Sequence, residues 1–176
     1  MEQLDFKTLH QSDMYRYNGK AGRCMKQFSY FLRKCQTTSN KFLLLYYRFR
    51  FSLIKNKRGL EIYPLMDIGP GLYMGHAYNI TINPKTIIGR NLNIHKGVTI
   101  GQENRGKRKG TPIIGNDVWI GVNSTIVGKI TIGDDVLIAP NSYVNCDIPS
   151  HSVVFGNPCI IKHRDNATEG YVNRRI

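Results

Sequence analysis

The sequence predicts a mainly β chain: a left-handed parallel β-helix, built of six-residue repeats and preceded by a short α-helical segment. Three observations predict it. Aliphatic residues recur at every sixth position over two long blocks, a small residue often follows directly, and the front of the chain shows neither feature. From Ile114 the phase reads Ile114, Ile120, Ile126, Ile132, Ile138 and Val144, with Gly115, Gly121, Gly133 and Ala139 behind four of them. Earlier it reads Ile62, Ile68, Met74 and Ile80, then shifts by two residues and resumes as Ile82, Ile88, Ile94 and Ile100. A period of six fits neither a helix nor an open half-buried strand, although it is a multiple of the two-residue strand repeat. It fits a three-sided prism in which each unit supplies one short strand and one corner. The aliphatic residue points to the axis and the small one lets the chain turn. Three units make a coil, coils stack at about 4.8 Å, and this length allows roughly four to five of them. An ordinary sandwich would show turns at irregular spacing and no fixed phase.

Residues 1–60 form the helical segment. Tyr15 to Gln36, interrupted near Gly19 and Gly22, and Lys41 to Asn56 place dense apolar positions among good helix formers. They predict two or three helices ending at Lys57-Arg58-Gly59, where glycine terminates the last. Residues 61–160 form the prism. Within it, residues 102–113 break the phase; they are polar, basic and glycine-containing, and predict a loop projecting from one corner. Residues 161–176 make a basic, polar tail expected to pack along the last coil.

Composition places limits on function. Of 176 residues, 41% are hydrophobic and 21% charged, which excludes a disordered or low-complexity chain. The charge is uneven: Lys and Arg number 25 against 12 acids, and residues 1–60 hold 13 of the bases with three of the acids. Arg16, Lys20, Arg23, Lys26, Arg33, Lys34, Arg48 and Arg50 read either as a contact for an anionic membrane surface or as a charged helical face packed beneath the prism. No recognisable nucleic-acid module accompanies them. The apolar stretch Lys41–Ile54 is too short and too charged to span a bilayer, and the N-terminus lacks the apolar core of a signal peptide. The expected location is cytoplasmic, with the inner face of the membrane as the other option. Cys24, Cys35, Cys146 and Cys159 form no C-x-x-C pair and read as reduced thiols.

Few residues can carry chemistry. His10, His151 and His163 lie in polar or turn segments and read as surface residues. His76 and His95 lie within the prism, 19 residues and so about one coil apart. His76 stands in Gly75-His76-Ala77-Tyr78-Asn79, where the phase shifts, and a register irregularity beside a titratable group points to function. A zinc-dependent solenoid enzyme needs three ligating histidines, and the prism supplies at most two, so no metal is expected. Gly101-Gln-Glu-Asn-Arg-Gly106-Lys107 satisfies G-x-x-x-x-G-K by chance: Arg108 stands where magnesium needs Ser or Thr.

Glu61-Ile-Tyr-Pro64, Ile68-Gly-Pro-Gly-Leu-Tyr-Met-Gly-His76-Ala, Val98-Thr-Ile-Gly101 and Gly156-Asn-Pro-Cys-Ile160 together resemble the serine acetyltransferase family and its relatives. Those relatives include the acetyltransferases of colanic acid and capsular polysaccharide synthesis. The resemblance runs from about Glu61 to about His163 and implies an acetyl-CoA-dependent O-acetyltransferase. It implies that His76 is the general base, taking the proton of a hydroxyl that attacks the acetyl-CoA thioester. Glu61 matches the family's orienting aspartate. The resemblance places coenzyme A at Gly121, Ala139, Lys162 and Arg164. Arg105, Lys107 and Arg108 read either as a solvated charge run or, as the resemblance implies, as part of a loop that covers the site. It implies a homotrimer with the active sites between neighbouring prisms.

Three positions depart from the serine-binding pattern. The family carries an acid immediately before the catalytic histidine and an Arg-His pair before a proline; here these are Gly75, Gly110 and Thr111. A site for a small zwitterion needs such charges. The departures therefore predict a sugar hydroxyl, in surface or capsular polysaccharide synthesis, as acceptor. Serine O-acetylation for cysteine biosynthesis is the alternative, and a non-catalytic scaffold would leave His76 unexplained.

Overall fold

The structure, a computed structural model, describes residues 4–176. Three helices open the chain: α1 (Phe6–Arg16), α2 (Arg23–Thr37) and α3 (Lys41–Asn56). Helix α1 starts well before Tyr15 because Asp5 caps it, accepting from the Thr8 N–H at 2.9 Å. Asn40 caps α3 by accepting from Phe42 and Leu43, and Gly59 ends its turn at φ +60°.

The strands then wind round a prism. The first coil holds β1 (Asp67–Ile68), β2 (Tyr73–Gly75) and β3 (Thr81–Ile82), and the second β4 (Ile87–Ile88), β5 (Asn93–His95) and β6 (Thr99–Gly101). The third holds β7 (Ile113–Ile114), β8 (Trp119–Ile120) and β9 (Thr125–Val127), and the fourth β10 (Thr131–Ile132), β11 (Val136–Ile138) and β12 (Tyr143–Val144). Strands β13 (Ser152–Phe155) and β14 (Ile160–His163) close the far end, β14 running antiparallel to β13. The first face is β1-β4-β7-β10, the second β2-β5-β8-β11-β13-β14, and the third β3-β6-β9-β12. Every pairing between the named strands except β13–β14 is parallel, and isolated parallel bridges at Glu61–Thr81 and Ile132–Ile148 add partial coils.

The repeat residues line the axis: Ile94, Ile100, Ile120, Ile126, Ile132, Ile138 and Val144 have no solvent exposure. Ile80 is also buried, but it lies two places before the strand residue Ile82, where most other units carry a second inward residue such as Leu92 or Val118. The phase shift is thus two extra residues in the corner between Met74 and Ile82. The inserted loop ends at Pro112, since Ile113 already pairs with Ile87 and Thr131.

The helices sit on the prism through a buried ion pair. Asp13 of α1 and Arg33 of α2 meet at 2.8 Å with both side chains fully buried. Arg33 also donates to the Ile68 and Gly69 carbonyls, while Asp13 accepts from the Gly71 and Leu72 N–H groups and from the Ser29 hydroxyl. Arg16 is buried as well, donates to Asn93, and is pushed down to about 10 by desolvation. These two arginines are therefore structural, and the expectation that they face a membrane does not hold for them. His10 is not a plain surface residue either: it is half-buried, bonded to Ser29 at 3.0 Å and stacked on Phe6.

The tail departs from its expected place along the last coil. Beyond β14 it crosses the second face back to the second coil, where Asn93 donates to the Tyr171 carbonyl and Asn91 bonds both backbone groups of Ile176. Asp135 anchors it, accepting from the Ala167 and Thr168 N–H groups, the Thr168 hydroxyl and His151. Burial pushes the Asp135 carboxyl up, but these donors outweigh it and hold the group below the usual carboxylate range. A carboxyl with a depressed folded value binds fewer protons folded than unfolded. Tail docking is therefore complete above about pH 4, the ordinary aspartate range, and is lost as pH falls through the folded value. Limited trypsin cleavage at Arg174 and Arg175 should accelerate in Asp135→Ala, and the variant should lose about 2–4 kcal/mol in urea unfolding, because it strands buried donors.

Candidate active site along the second edge

The edge between the second and third faces stacks five outward positions in one column: Gly75, His95, Gly121, Ala139 and Phe155 follow from the pairings of β2, β5, β8, β11 and β13. His76 stands one residue beyond Gly75, exposed, at φ +50°. That left-handed conformation is uncommon for a side-chain-bearing residue and turns His76 out of the ladder. The two-residue insertion behind it is held from below. Arg58 lies over the Tyr78 ring at 4.5 Å, donates to the Ala77 carbonyl at 3.4 Å, and accepts through its own carbonyl from Asn79. Tyr17 braces the same corner from α1, its hydroxyl accepting from the Met74 N–H at 3.0 Å. Burial raises its phenol far above the usual range, so it stays neutral.

His95 occupies the space beside Gly75. A Cβ on Gly75 would meet the His95 ring at 2.4 Å, so the imidazole fills the place an acidic side chain would need. Burial, aided by the charge of His76, pushes the His95 imidazole down from its ordinary value. Its Nε2 is buried without a partner among the described residues. The ring packs on Trp119 at 4.8 Å and opens onto a cavity of about 550 Å³, lined by Tyr73, Trp119, Tyr171 and the cations Arg16, Lys20 and Arg174. Reading the repeat did not reveal this cavity, because the returning tail forms one wall and the end of α1 another.

The other expected residues divide by edge. Gly121 and Ala139 lie on the His76 edge, two and three coils further along, or about 10–15 Å at the ordinary strand spacing. A Cβ on Gly121 would meet the Pro140 nitrogen at 2.5 Å, so the column stays bare there. Lys162 stands at its far end, the ammonium 5.7 Å from the Phe155 ring centroid. Arg164 does not join them: its N–H bonds the His151 carbonyl at the first edge. Glu61 pairs with Thr81 across coils and accepts from its hydroxyl at 3.4 Å; no hydrogen bond joins it to His76 among the described residues. Arg105, Lys107 and Arg108 are exposed on the loop at the third edge, across a face from His76 within one chain. Glu103 and Gly110 exchange backbone bonds of 2.9 Å at the base of that loop. Gly110 sits at φ +138° against Lys129, a backbone that disfavours any larger side chain, and Thr111 donates to the Lys85 carbonyl at 3.2 Å.

Comparison with known proteins bears on the fold that carries this edge. The family model "Bacterial transferase hexapeptide (six repeats)" matches residues 111–146. A serine acetyltransferase of Helicobacter pylori is 38% identical over 99 residues, covering 56% of this chain and 58% of that protein. One from Staphylococcus aureus is 36% identical over 112 residues, covering 64% of this chain and 53% of that protein. The chain thus spans a little over half the length of these relatives. Among solved structures, the soybean serine acetyltransferase apoenzyme superposes with a TM-score of 0.72 at 25% identity, covering 90% of this chain and 69% of that one. The Neisseria gonorrhoeae serine acetyltransferase in complex with serine gives 0.68 at 25% identity, over 89% and 69%. Together with the six-residue phase, these likenesses define a hexapeptide-repeat solenoid and imply its left-handed winding. Within that class the chain is serine acetyltransferase-like.

The Gly75–His95 contact yields a direct test. Gly75→Asp should cost about 1–3 kcal/mol by overpacking, and much less in a His95→Ala background. Urea unfolding of the double-mutant cycle should give a coupling of at least about 0.5 kcal/mol; equal costs in both backgrounds would refute the contact.

Proposed function

We propose that the chain is an acetyl-CoA-dependent O-acetyltransferase with His76 as general base. The observation that carries this reading is the shared edge: His76 stands out of the ladder at one level, with the bare Gly121 and Ala139 positions further along and Lys162 at the end. An extended thioester laid on that edge would bring its acyl group to His76 and its anionic end to Lys162. The imidazole takes the hydroxyl proton as the oxygen attacks the thioester carbonyl. Collapse of the tetrahedral adduct breaks the C–S bond, and the proton passes to the departing thiolate, leaving an acetyl ester and free coenzyme A. Glu61 is assigned the orienting role, which requires it to turn from Thr81 toward His76. A convex edge encloses nothing by itself, so the proposal includes a trimer in which a neighbouring copy's Arg105, Lys107 and Arg108 cover the site.

Serine is the acceptor this reading takes first, because the relatives named above are serine acetyltransferases. The saccharide acceptor expected from Gly75, Gly110 and Thr111 finds no support among them. It is kept as a second reading for one reason: the His95 ring fills the place beside Gly75 where an acidic side chain for the serine ammonium would stand.

Thiol release under saturating acetyl-CoA decides both points. L-serine should be acetylated with a KM between about 1 μM and 1 mM. His76→Ala should lower turnover by about 10² to 10⁴ while coenzyme A binding stays intact, and His95→Ala should cost much less. Normal turnover by His76→Ala would remove the base assignment. Slow release with serine and fast release with a sugar acceptor would move the acceptor to the second reading.

A further inference from the structure

Helix α3 is apolar on two opposite sides. At about 100° per residue, Leu44, Tyr47, Phe51 and Ile54 share one side, and that side meets α2: Phe51 is 1% exposed and packs on Phe28 at 5.0 Å. The opposite side carries Phe42, Leu45, Tyr46, Phe49 and Leu53, and the chain leaves it open: Phe42 is 87% exposed, Leu45 67% and Phe49 60%. A helix needs one apolar side to pack against its own protein; a second contiguous one marks a surface that meets something else. Tyr63 and Leu65, both exposed, continue the apolar surface onto the start of the prism, with the Arg48 guanidinium 5.9 Å from the Tyr63 ring centroid.

The charges that the helix sets around this stripe all have one sign; the exposed acids nearest it, Glu61 and Asp67, lie at its far end beside Tyr63 and Leu65. Lys41, Arg48 and Lys55 flank it on one side and Arg50 on the other. No acid occurs from Met14 to Leu60, a run that holds twelve Lys and Arg. We propose that this side of α3 docks on an anionic lipid surface, its aromatic and leucine side chains entering the boundary between headgroups and acyl chains and its cations pairing with the headgroups. Charge selects this occupant. A second copy laid face to face would set each cation against like charge, with no acid on the helix to answer it. A purely zwitterionic surface would leave the cations unmatched. Among the described residues no helix is long and apolar enough to cross a membrane, so the contact is one of surface only. The inference stands apart from the acetyl-transfer reading, since it uses none of that site's residues.

Co-sedimentation of the whole chain with vesicles tests it. The chain should sediment with vesicles of phosphatidylcholine plus phosphatidylglycerol, should stay in solution with phosphatidylcholine alone, and should be released by high salt. Arg48→Gln with Arg50→Gln should weaken partitioning by roughly 25-fold. Phe42→Ser with Leu45→Ser and Phe49→Ser should abolish it at an unchanged circular dichroism spectrum, since these side chains support no core. Absence of sedimentation with anionic vesicles, equal binding to both vesicle types, or unaltered binding by both variants would each overturn the proposal. So would light scattering in which the serine variant breaks a larger assembly and no vesicle binding is found, which would make the face a contact between copies.

Discussion

The ladder between successive coils is the constraint on which the rest of the molecule depends. Backbone bonds such as Gly69 N–H to Ile88 O, Tyr73 N–H to Leu92 O and Thr81 N–H to Val98 O, all between 2.8 and 3.0 Å, hang one coil from the next. Each residue is thereby fixed above its counterpart, so whatever a position must be, its column must be. Inward positions become a continuous aliphatic stack. At the first edge, a Cβ on Gly69, Gly89, Gly115 or Gly133 would meet an atom of the next coil at 2.5–2.6 Å, which is why glycine recurs there. The six-residue phase is this stacking written into sequence.

The helical cap answers a different need. Among the described residues the first coil has no strand beneath β1 or β2, so the groups at its opening require partners from elsewhere. Asp13 and Arg33 supply them, accepting from Gly71 and Leu72 and donating to Ile68 and Gly69. Removing two charges from water costs several kcal/mol per ion, and their mutual attraction offsets that only when the remaining donors and acceptors are filled. Here every one of those bonds ends on backbone, on Gln36 or on Ser29, so the pair fixes where α1 and α2 sit rather than adding much net stability. With α1 fixed, Tyr17 is brought to the Met74 N–H, and the corner that bears His76 is braced from the same side.

The prism was legible because its signal is periodic. Each coil repeats the same demand, and Ile114 through Val144 state it six times. Gly121 and Ala139 follow the phase 18 residues apart and so share a column, but only the strand pairings put that column beside Gly75 and His76. What depended on contacts between distant segments was not legible. The burial of Arg16 and Arg33, the packing of His10 against Ser29, and the return of the tail to Asn91 join residues separated by 19 to 85 positions, and no local pattern announces them. The start of α1 was missed for the opposite reason. Its cap at Asp5 is local, but the helix buries only Leu9, Asp13 and Arg16, two of them charged, so an apolar-density reading passes over it.

A solenoid that satisfies its own ladder leaves little for chemistry to use, and this explains where the candidate site lies. In a regular coil the backbone N–H groups of the edges are taken by the coil beside them, as Gly121 and Ala139 are by Ile138 and Val154, and outward side chains stack on their neighbours. Residues added to a coil escape that arrangement. Two extra residues follow His76, and eight more separate Ile100 from Ile126 than separate Ile126 from Val144. The first insertion lets an imidazole stand clear of the ladder at a positive φ; the second builds a basic loop that the prism does not need for its fold. The two departures from the repeat are thus the places where side chains are released from structural duty, and they carry the histidine and the cations that acyl transfer would call upon.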